Sequence, residues 1–295
     1  MLRITDHSSR LISQRDLARN QYELAMLQRE ATSGLRINQA SDDPAGAASL
    51  VRMGTDLEAL RQHQQTISRA MGEVTAAQTA LAGVGEALHR ARELSIAMAN
   101  DSYTAQERAD AAQEIRDLRQ QIVSLANTEH DGVHLFAGFL TDADPFDGTT
   151  GAYSGDTGDR KVIAAPGVEV QVGINGEQVF APAGGQDVLA VLATLATDLE
   201  ANDTAAVAAA AGSIEEARQQ VTSSRALLGI SADRLQGLAS VLDDRSLQLQ
   251  DSIARTGEAD AVETLSSLAA AQRALNASLQ VSATMLSRLT LVDKL

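Results

Sequence analysis

The sequence predicts a mainly α (α+β) protein: an elongated antiparallel bundle of long helices, with a helical arm at each terminus and a small inserted β-rich region. Three observations lead to this prediction. Apolar residues recur every seven positions over most of the chain, as in helices that pack side by side. Hydrophobic residues make up 44% of the 295 residues but aromatics only 2%, which suits close helix packing. Only four prolines occur, so long helices are possible.

Residues 1–45 are predicted to form an N-terminal arm. A helix is expected from Ser8 to Ser33, where Gly34 provides a helix C-cap. Pro44, at the first position of the next helix behind an Asp or Ser cap, marks a restart. The residues expected to form the apolar seam of this arm are Leu11, Leu17, Leu24 and Leu27.

Residues 46–132 are predicted to form rod helices. The first carries two seven-residue stripes, expected to be intramolecular core, and ends at Asn100–Ser102; a shorter helix then runs to about Asp131–Gly132. The stripes are Leu60, Ile67, Val74, Leu81 and Leu88, with Ala70, Ala77, Val84, Ala91 and Met98.

Residues 133–185 are predicted to form a β-rich insertion. Four aliphatic residues alternate with polar or small ones, as in a half-buried strand: Val168, Val170, Val172 and Ile174. Asn175–Gly176 predicts a hairpin turn before a further strand, Glu177–Phe180. Glycine is dense here, and five of the seven Phe and Tyr residues fall between His130 and Gly185.

Residues 186–255 are predicted to return as rod helices, and residues 256–295 to form a C-terminal arm. The longer return helix has a seven-residue stripe of Val207, Ile214, Val221, Leu228, Leu235, Leu242 and Leu249, again expected to be core. The arm has leucines at alternating steps of three and four: Leu265, Leu268, Leu275, Leu279, Leu286 and Leu289. Because burial of these leucines does not compensate for ordering more than thirty residues, we expect the arm to need partners: the N-terminal arm and neighbouring subunits.

The charge is unevenly distributed and restricts the possible partners. The net charge is −15, but residues 1–45 carry six Arg and six acidic residues, and residues 256–295 carry three basic and four acidic ones. An acidic middle argues against nucleic acid or an acidic membrane as partner. There is no cysteine, and without an apolar signal segment the composition alone predicts a cytoplasmic protein.

The sequence contains only weak candidates for catalytic, metal-binding or phosphate-binding sites. His130 and His134 are four apart, but Gly132 lies between them and no His-Glu-x-x-His motif is present. Asp142, Asp144 and Asp147 resemble the start of a calcium loop, but the spacing slips by one and Tyr153 stands where a bidentate Glu is needed. The glycine-rich stretch 151–158 is not a phosphate-binding loop. We therefore expect no cofactor, metal or catalytic residue, and keep an enzyme or metal-binding module as an alternative.

Several segments resemble the flagellin superfamily. They are Ser33–Gly46, Arg90–Leu94 with Ala99–Asp101, and Leu279–Ala283 with Leu289. Within the superfamily, Pro44, the Leu-Phe-Ala-Gly segment after His134 followed by Pro145–Phe146, and the β region up to Phe180 are similar to the hook-associated protein 3 family, at the hook–filament junction. His134 departs from that pattern, in which Tyr is expected.

The resemblance implies a structural adaptor, exported without a cleaved signal peptide to the extracellular flagellum. It would bind an export chaperone, the first hook-associated protein, flagellin and copies of itself in a ring. The alternative is a minor flagellin within the filament. The resemblance also assigns a motif to the junction of arm and rod: Ser33, Gly34, Arg36, Ile37, Asn38, Asp42, Asp43 and Pro44.

Overall fold

Long helices make up most of this computed structural model, which describes the backbone of residues 2–292 and the side chains of Ser8 and residues 11–284. The elements in order are α1 (Leu2–Ser33), α2 (Pro44–Met98), α3 (Ala105–Ala126), β1 (Glu129–His130), β2 (Val133–His134), β3 (Lys161–Ala165), β4 (Val168–Gln171), α4 (Gly176–Phe180), α5 (Val188–Glu200), α6 (Thr204–Gly257) and α7 (Ala261–Val292). The prediction of a mainly α protein with a small β region is confirmed.

The chain divides into two compact units. One comprises the described residues up to Ala59 together with those from Arg245, and the other comprises Leu60–Asp244. Both α2 and α6 contribute residues to each unit. No described helix is long and apolar enough to cross a membrane.

The three predicted heptad stripes, two on α2 and one on α6, lie in the core of the second unit, together with residues of α3, α5 and the β insertion. On α6, Val207, Ile214 and Leu235 are fully buried, and their α2 counterparts Val74 and Leu88 are too. The second α2 stripe, which includes Ala70 and Ala77, is buried in the same cluster. Small side chains here let helices approach closely. The prediction of an intramolecular core is thereby confirmed.

A buried arginine links the helix ends at one end of this unit. Arg108, 3% exposed on α3, donates from Nε to the carbonyl of Met98 (2.9 Å) and from Nη2 to that of Asn100 (2.8 Å). Its Nη1 donates to Oδ1 of Asn202 (2.5 Å), which lies between α5 and α6. A cation beside the carboxyl end of a helix is favourable, because the last carbonyl groups there carry partial negative charge.

The β insertion differs from the prediction in three places. The strand expected to include Val172 and Ile174 ends at Gln171, although both residues are buried. α3 ends at Ala126 rather than near Gly132, because the chain then enters the β1–β2 hairpin. The side chain of Asn127 stabilises this end: its Nδ2 donates to the Phe146 carbonyl (2.8 Å), and its Oδ1 accepts from the Phe146 amide (2.9 Å). Asp131 and Gly132 have φ of 52° and 79°, which a two-residue hairpin turn requires. Strand β3 pairs antiparallel with β4, with Val162 opposite Val170.

The predicted turn at Asn175–Gly176 and the strand Glu177–Phe180 are wrong. Asn175 instead caps the short helix α4, accepting a hydrogen bond from the Gln178 amide (2.8 Å). The helix places Phe180 edge-on against Phe136 and Phe146, with ring centroids 5.8 and 5.0 Å apart. Asparagine favours both turns and helix caps, so burial of this aromatic cluster decides between them.

Candidate assembly site

The two arm helices pack antiparallel within the first unit. Ser13 Oγ lies 3.0 Å from Ser282 Oγ, and Asn20 Nδ2 donates to Ser278 Oγ at 2.6 Å. Half-buried leucines surround these polar pairs: Leu17, Leu24 and Leu27 on α1, and Leu268 and Leu275 on α7. None of the described α1 side chains is fully buried, and Thr264 is the one fully buried among the described α7 side chains. The seam between the arms is therefore thin and partly polar.

The leucines predicted as one seam lie on different faces. Five of them are half-buried in the α1–α7 pair, whereas Leu11, Leu265 and Leu279 are 49%, 59% and 46% exposed. Leu265 and Leu279 are fourteen residues apart, which is about four helical turns, and so lie on the same outer face of α7. Leu286 and Leu289 lie outside the residues whose side chains the structure describes.

Small and polar residues that sequence reasoning missed complete the α7 side of the seam. Thr264, Ala271, Ser278 and Ser282 are buried or half-buried, at steps that alternate with Leu268 and Leu275. A search restricted to leucine could not find them. The alternation of four and three over Thr264, Leu268, Ala271, Leu275, Ser278 and Ser282 is the signal that would have done so.

The two chain segments that lead into the arms are bonded to each other, and we call Ser33–Gly46 with Thr256–Ala259 the junction. The Arg36 amide donates to the Gly257 carbonyl (2.8 Å), and the Ala259 amide to the Gly34 carbonyl (2.9 Å). Leu35 and Glu258 form an antiparallel bridge between these bonds. Gly34 has φ of 70°, the left-handed conformation that ends α1 and that glycine adopts without strain.

Side chains of the motif predicted for the junction of arm and rod hold this loop in shape. Asp42 Oδ2 accepts from the amides of Asn38 (3.1 Å) and Gln39 (2.8 Å), while Asn38 Nδ2 donates to the Leu35 carbonyl (2.7 Å). The Leu35 amide donates in turn to Ser33 Oγ (3.1 Å).

Asp43 begins α2 and is linked to Arg36. Its Oδ1 accepts from the Gly46 amide (2.9 Å), with Pro44 as the first helical residue, so Asp43 is an N-cap. That amide, helped by Arg36, holds the pKa of Asp43 below its ordinary value. The guanidinium of Arg36 lies 3.4 Å from the Asp43 carboxylate and donates to the Thr256 carbonyl (2.7 Å). Arg36 therefore connects the start of α2 to the end of α6.

Ile37 and Gly46 pack closely beneath this loop. Ile37 is 8% exposed, and a Cβ added to Gly46 would lie 2.5 Å from Ile37 Cδ1 and 2.4 Å from an Asp43 carboxylate oxygen. Glycine is thus required at this position by close approach. Ser33 to Pro44 form one loop around Ile37, although sequence alone did not reveal its partner segment 256–259.

The candidate metal sites are occupied by ordinary structural bonds. His134 Nδ1 lies 3.2 Å from the Asn127 carbonyl oxygen, and its Nε2 lies 3.7 Å from an Asp144 carboxylate oxygen. Asp147 Oδ1 accepts from the amides of Thr149 (3.0 Å) and Thr150 (2.6 Å), which lower the pKa of its carboxyl group, the Thr150 amide most strongly. Among the described residues, no group of three or more His, Asp or Glu side chains is placed to hold a metal ion.

Comparisons with known proteins show which family the chain resembles. The profile of the bacterial flagellin N-terminal helical region matches residues 4–141. Flagellar hook-associated protein 3 of Salmonella typhimurium is 27% identical over 285 residues, covering 89% of this chain and 90% of the relative. The chain is thus similar to bacterial flagellins over residues 4–141 and to flagellar hook-associated protein 3 over about nine tenths of its length.

A second relative and a solved structure show the same similarity. Flagellar hook-associated protein 3 of Escherichia coli is 28% identical over 290 residues and covers 90% of both chains. A solved structure described as a flagellar hook-associated protein from Vibrio parahaemolyticus superposes with a TM-score of 0.68 at 25% identity. It covers 74% of this chain and 100% of that one. The flagellin-superfamily resemblance noted at Ser33–Gly46 is confirmed by these matches.

Proposed function

We propose that this chain is a structural adaptor of the bacterial flagellum that joins the hook to the flagellin filament, assembled as a ring through its terminal helices. The observation that carries the proposal is the match to hook-associated protein 3, which extends over about nine tenths of both chains. A similarity of that extent includes the arms, the helical core and the β insertion together. The partners in this proposal are the first hook-associated protein, flagellin and further copies of the chain.

We propose that the two arms form the surface that contacts these partners. Leu265 and Leu279 are exposed on one face of α7, and Leu11 is exposed on α1. Full burial of a leucine side chain contributes roughly 1.5–3 kcal/mol, so a neighbouring subunit that covers this face gains a substantial stabilisation. Leu286 and Leu289 belong to the same proposed interface. The rod helices (46–132 and 186–255) support it, and the acidic β insertion (133–185) stays hydrated.

Export through the flagellar apparatus is part of the proposal. The chain would leave the cell without a cleaved signal peptide, held by an export chaperone while the arms lack their partners. Its place would be the extracellular hook–filament junction. No catalytic step, cofactor or metal is assigned to it, and a metal-binding module remains the alternative that stoichiometric metal in the purified protein would support.

Deletion of the gene tests the role. We expect cells with hooks but without filaments, and flagellin monomers in the medium; cells that still carry normal filaments would contradict the proposal. Complementation with L265D/L279D should fail, because two carboxylates cannot be buried at a subunit contact without a large cost. L227D is the matched control: Leu227 is 52% exposed on α6, outside the arms, and should complement.

A minor flagellin is the second candidate, and the match to the flagellin N-terminal region favours it. The two candidates differ in where the protein lies. Labelling an epitope inserted at the exposed segment Phe139–Leu140 should mark one point between hook and filament if the chain is an adaptor. Label along the filament would instead support the flagellin role.

A further inference from the structure

We propose that the junction is a latch that couples the two arms, so that α1 and α7 are aligned, and released, together through Arg36. The latch is a property of the folded chain and deepens the proposed assembly role of the arms. Its test uses purified protein, so its failure would leave the hook–filament proposal standing.

The first step is that the arms are joined at their base by backbone bonds rather than by separate linkers. The segments around Gly34 and Gly257 are more than 200 residues apart in sequence, yet they exchange two amide–carbonyl bonds of 2.8 and 2.9 Å. The Ile37 amide adds a longer contact to the Gly257 carbonyl (3.5 Å). A displacement of either segment along the other breaks both bonds, so neither helix can slide while the junction is closed.

The second step is that the seam between the arms does not fix their alignment. Leu17 and Leu24 are seven residues apart, and so are Leu268 and Leu275. A slide by one heptad would again place leucine against leucine, and these side chains are only half-buried in the present register. The Ser13–Ser282 and Asn20–Ser278 pairs oppose the slide, but both bonds are only partly buried and water can replace them. The alignment therefore depends on the junction.

The third step identifies Arg36 as the contact that closes the latch. Its guanidinium bonds both the Thr256 carbonyl and the Asp43 carboxylate, while its side chain remains 47% exposed. A half-exposed charged bond of this type is weak enough to open and strong enough to bias a closed state. Arg36 is thus a positioning residue for arms whose far contacts, such as Ser13–Ser282, lie about 30 Å away along the helix.

Disulfide trapping tests the latch, because the natural chain contains no cysteine. The pair S13C/S282C puts sulfur atoms where two oxygen atoms lie 3.0 Å apart and reports the closed register. The pair S13C/L275C reports a slide of one heptad, about 10 Å, which a disulfide cannot bridge in the closed state. Both are measured as the rate of intramolecular crosslinking in dilute monomer.

We expect S13C/S282C to crosslink readily and S13C/L275C hardly at all. Adding R36M should slow crosslinking of S13C/S282C by about fivefold and speed crosslinking of S13C/L275C, because it removes a partly exposed charged bond. R29M is the matched control: Arg29 is also an exposed arginine at the end of α1, but its recorded contact is with Met26 of its own helix. It should change neither rate.

A second variant and a second readout keep the test decisive. G46A disturbs the junction without changing charge, because its Cβ collides with Ile37 and Asp43, and should act like R36M. In hydrogen exchange, R36M should raise the rates of α1 and α7 by the same factor. Three results would each overturn the latch. They are crosslinking rates that stay the same in both variants, hydrogen exchange that rises in one arm alone, and failure of S13C/S282C to form a disulfide when Arg36 and Gly46 are unchanged.

Discussion

Replacement of Arg108 by methionine is expected to be among the most destabilising changes in the second unit. R108M keeps an unbranched apolar side chain of similar length but removes three bonds, to the Met98 and Asn100 carbonyls and to the Asn202 amide. Arg108 is 3% exposed, so water cannot readily replace these bonds.

The magnitude follows from the acceptors left behind. Each buried acceptor without a donor costs about 1–3 kcal/mol, and Asn202, nearer the surface, can recover part of its loss. We therefore expect the free energy of unfolding to fall by roughly 3–5 kcal/mol in this unit. At about 2–4 °C per kcal/mol for a domain of this size, the melting temperature should fall by roughly 10 °C.

The assay is thermal and urea unfolding followed by far-ultraviolet circular dichroism, with R116M as the matched control. Arg116 lies on the same helix, but it is 42% exposed and pairs with Glu200 at the surface. An exposed ion pair contributes about 0–1 kcal/mol, so R116M should be nearly neutral. If R108M and R116M destabilise the chain equally, the reasoning from buried bonds to helix ends is refuted.

Three further predictions concern packing, pH and the arms. G46A should lower the stability of the first unit by about 1–3 kcal/mol through overpacking, whereas G54A, a helical glycine of α2 with open space around it, should raise stability by roughly 0.5–1 kcal/mol in the same unfolding assay. The bonds of Glu215 to Arg218, then to Gln219, lower its pKa from 4.5 to about 2. Its stabilisation is therefore complete above pH 4.5 and is lost as the pH falls towards 2, and E215Q should remove that part of the pH dependence of the melting temperature. Limited proteolysis of the isolated monomer should cut first within residues 1–45 and 256–295, because the thin seam between the arms stabilises them only weakly. Equal resistance to proteolysis along the chain would contradict this reasoning.

The helical core could be predicted from sequence because a seven-residue repeat specifies which side of a helix is buried. Val207 to Leu242 all lie on the buried side of α6, as their spacing requires. The same reasoning failed for α7, since leucines at mixed steps of three and four fit two adjacent stripes. Leu268 is half-buried and Leu265 is exposed, because the packed stripe of α7 also runs through Thr264 and the small residues Ala271 and Ser278, which a pattern of leucines alone does not show.

Tertiary contacts decide the features that the sequence left open. Asn175 begins a helix rather than a turn because Phe180 is buried against two other rings. The motif around Asp43 was visible as a capping signal, but the bond that Arg36 donates to the Thr256 carbonyl spans 220 residues, and no local pattern encodes that contact. Local signals therefore located the candidate site, while its mechanism depends on a long-range pairing.

The polar pairs in the arm seam affect opening and closing differently. When the arms separate, Ser13, Asn20, Ser278 and Ser282 regain bonds to water, so opening costs little beyond the burial of a few half-buried leucines. When the arms close shifted by one heptad, water can again reach these half-buried groups, so the seam penalises the wrong register only slightly. Such a seam opens easily but does not set the register by itself, which suits helices that must leave one partner and are then aligned with another by the junction at their base.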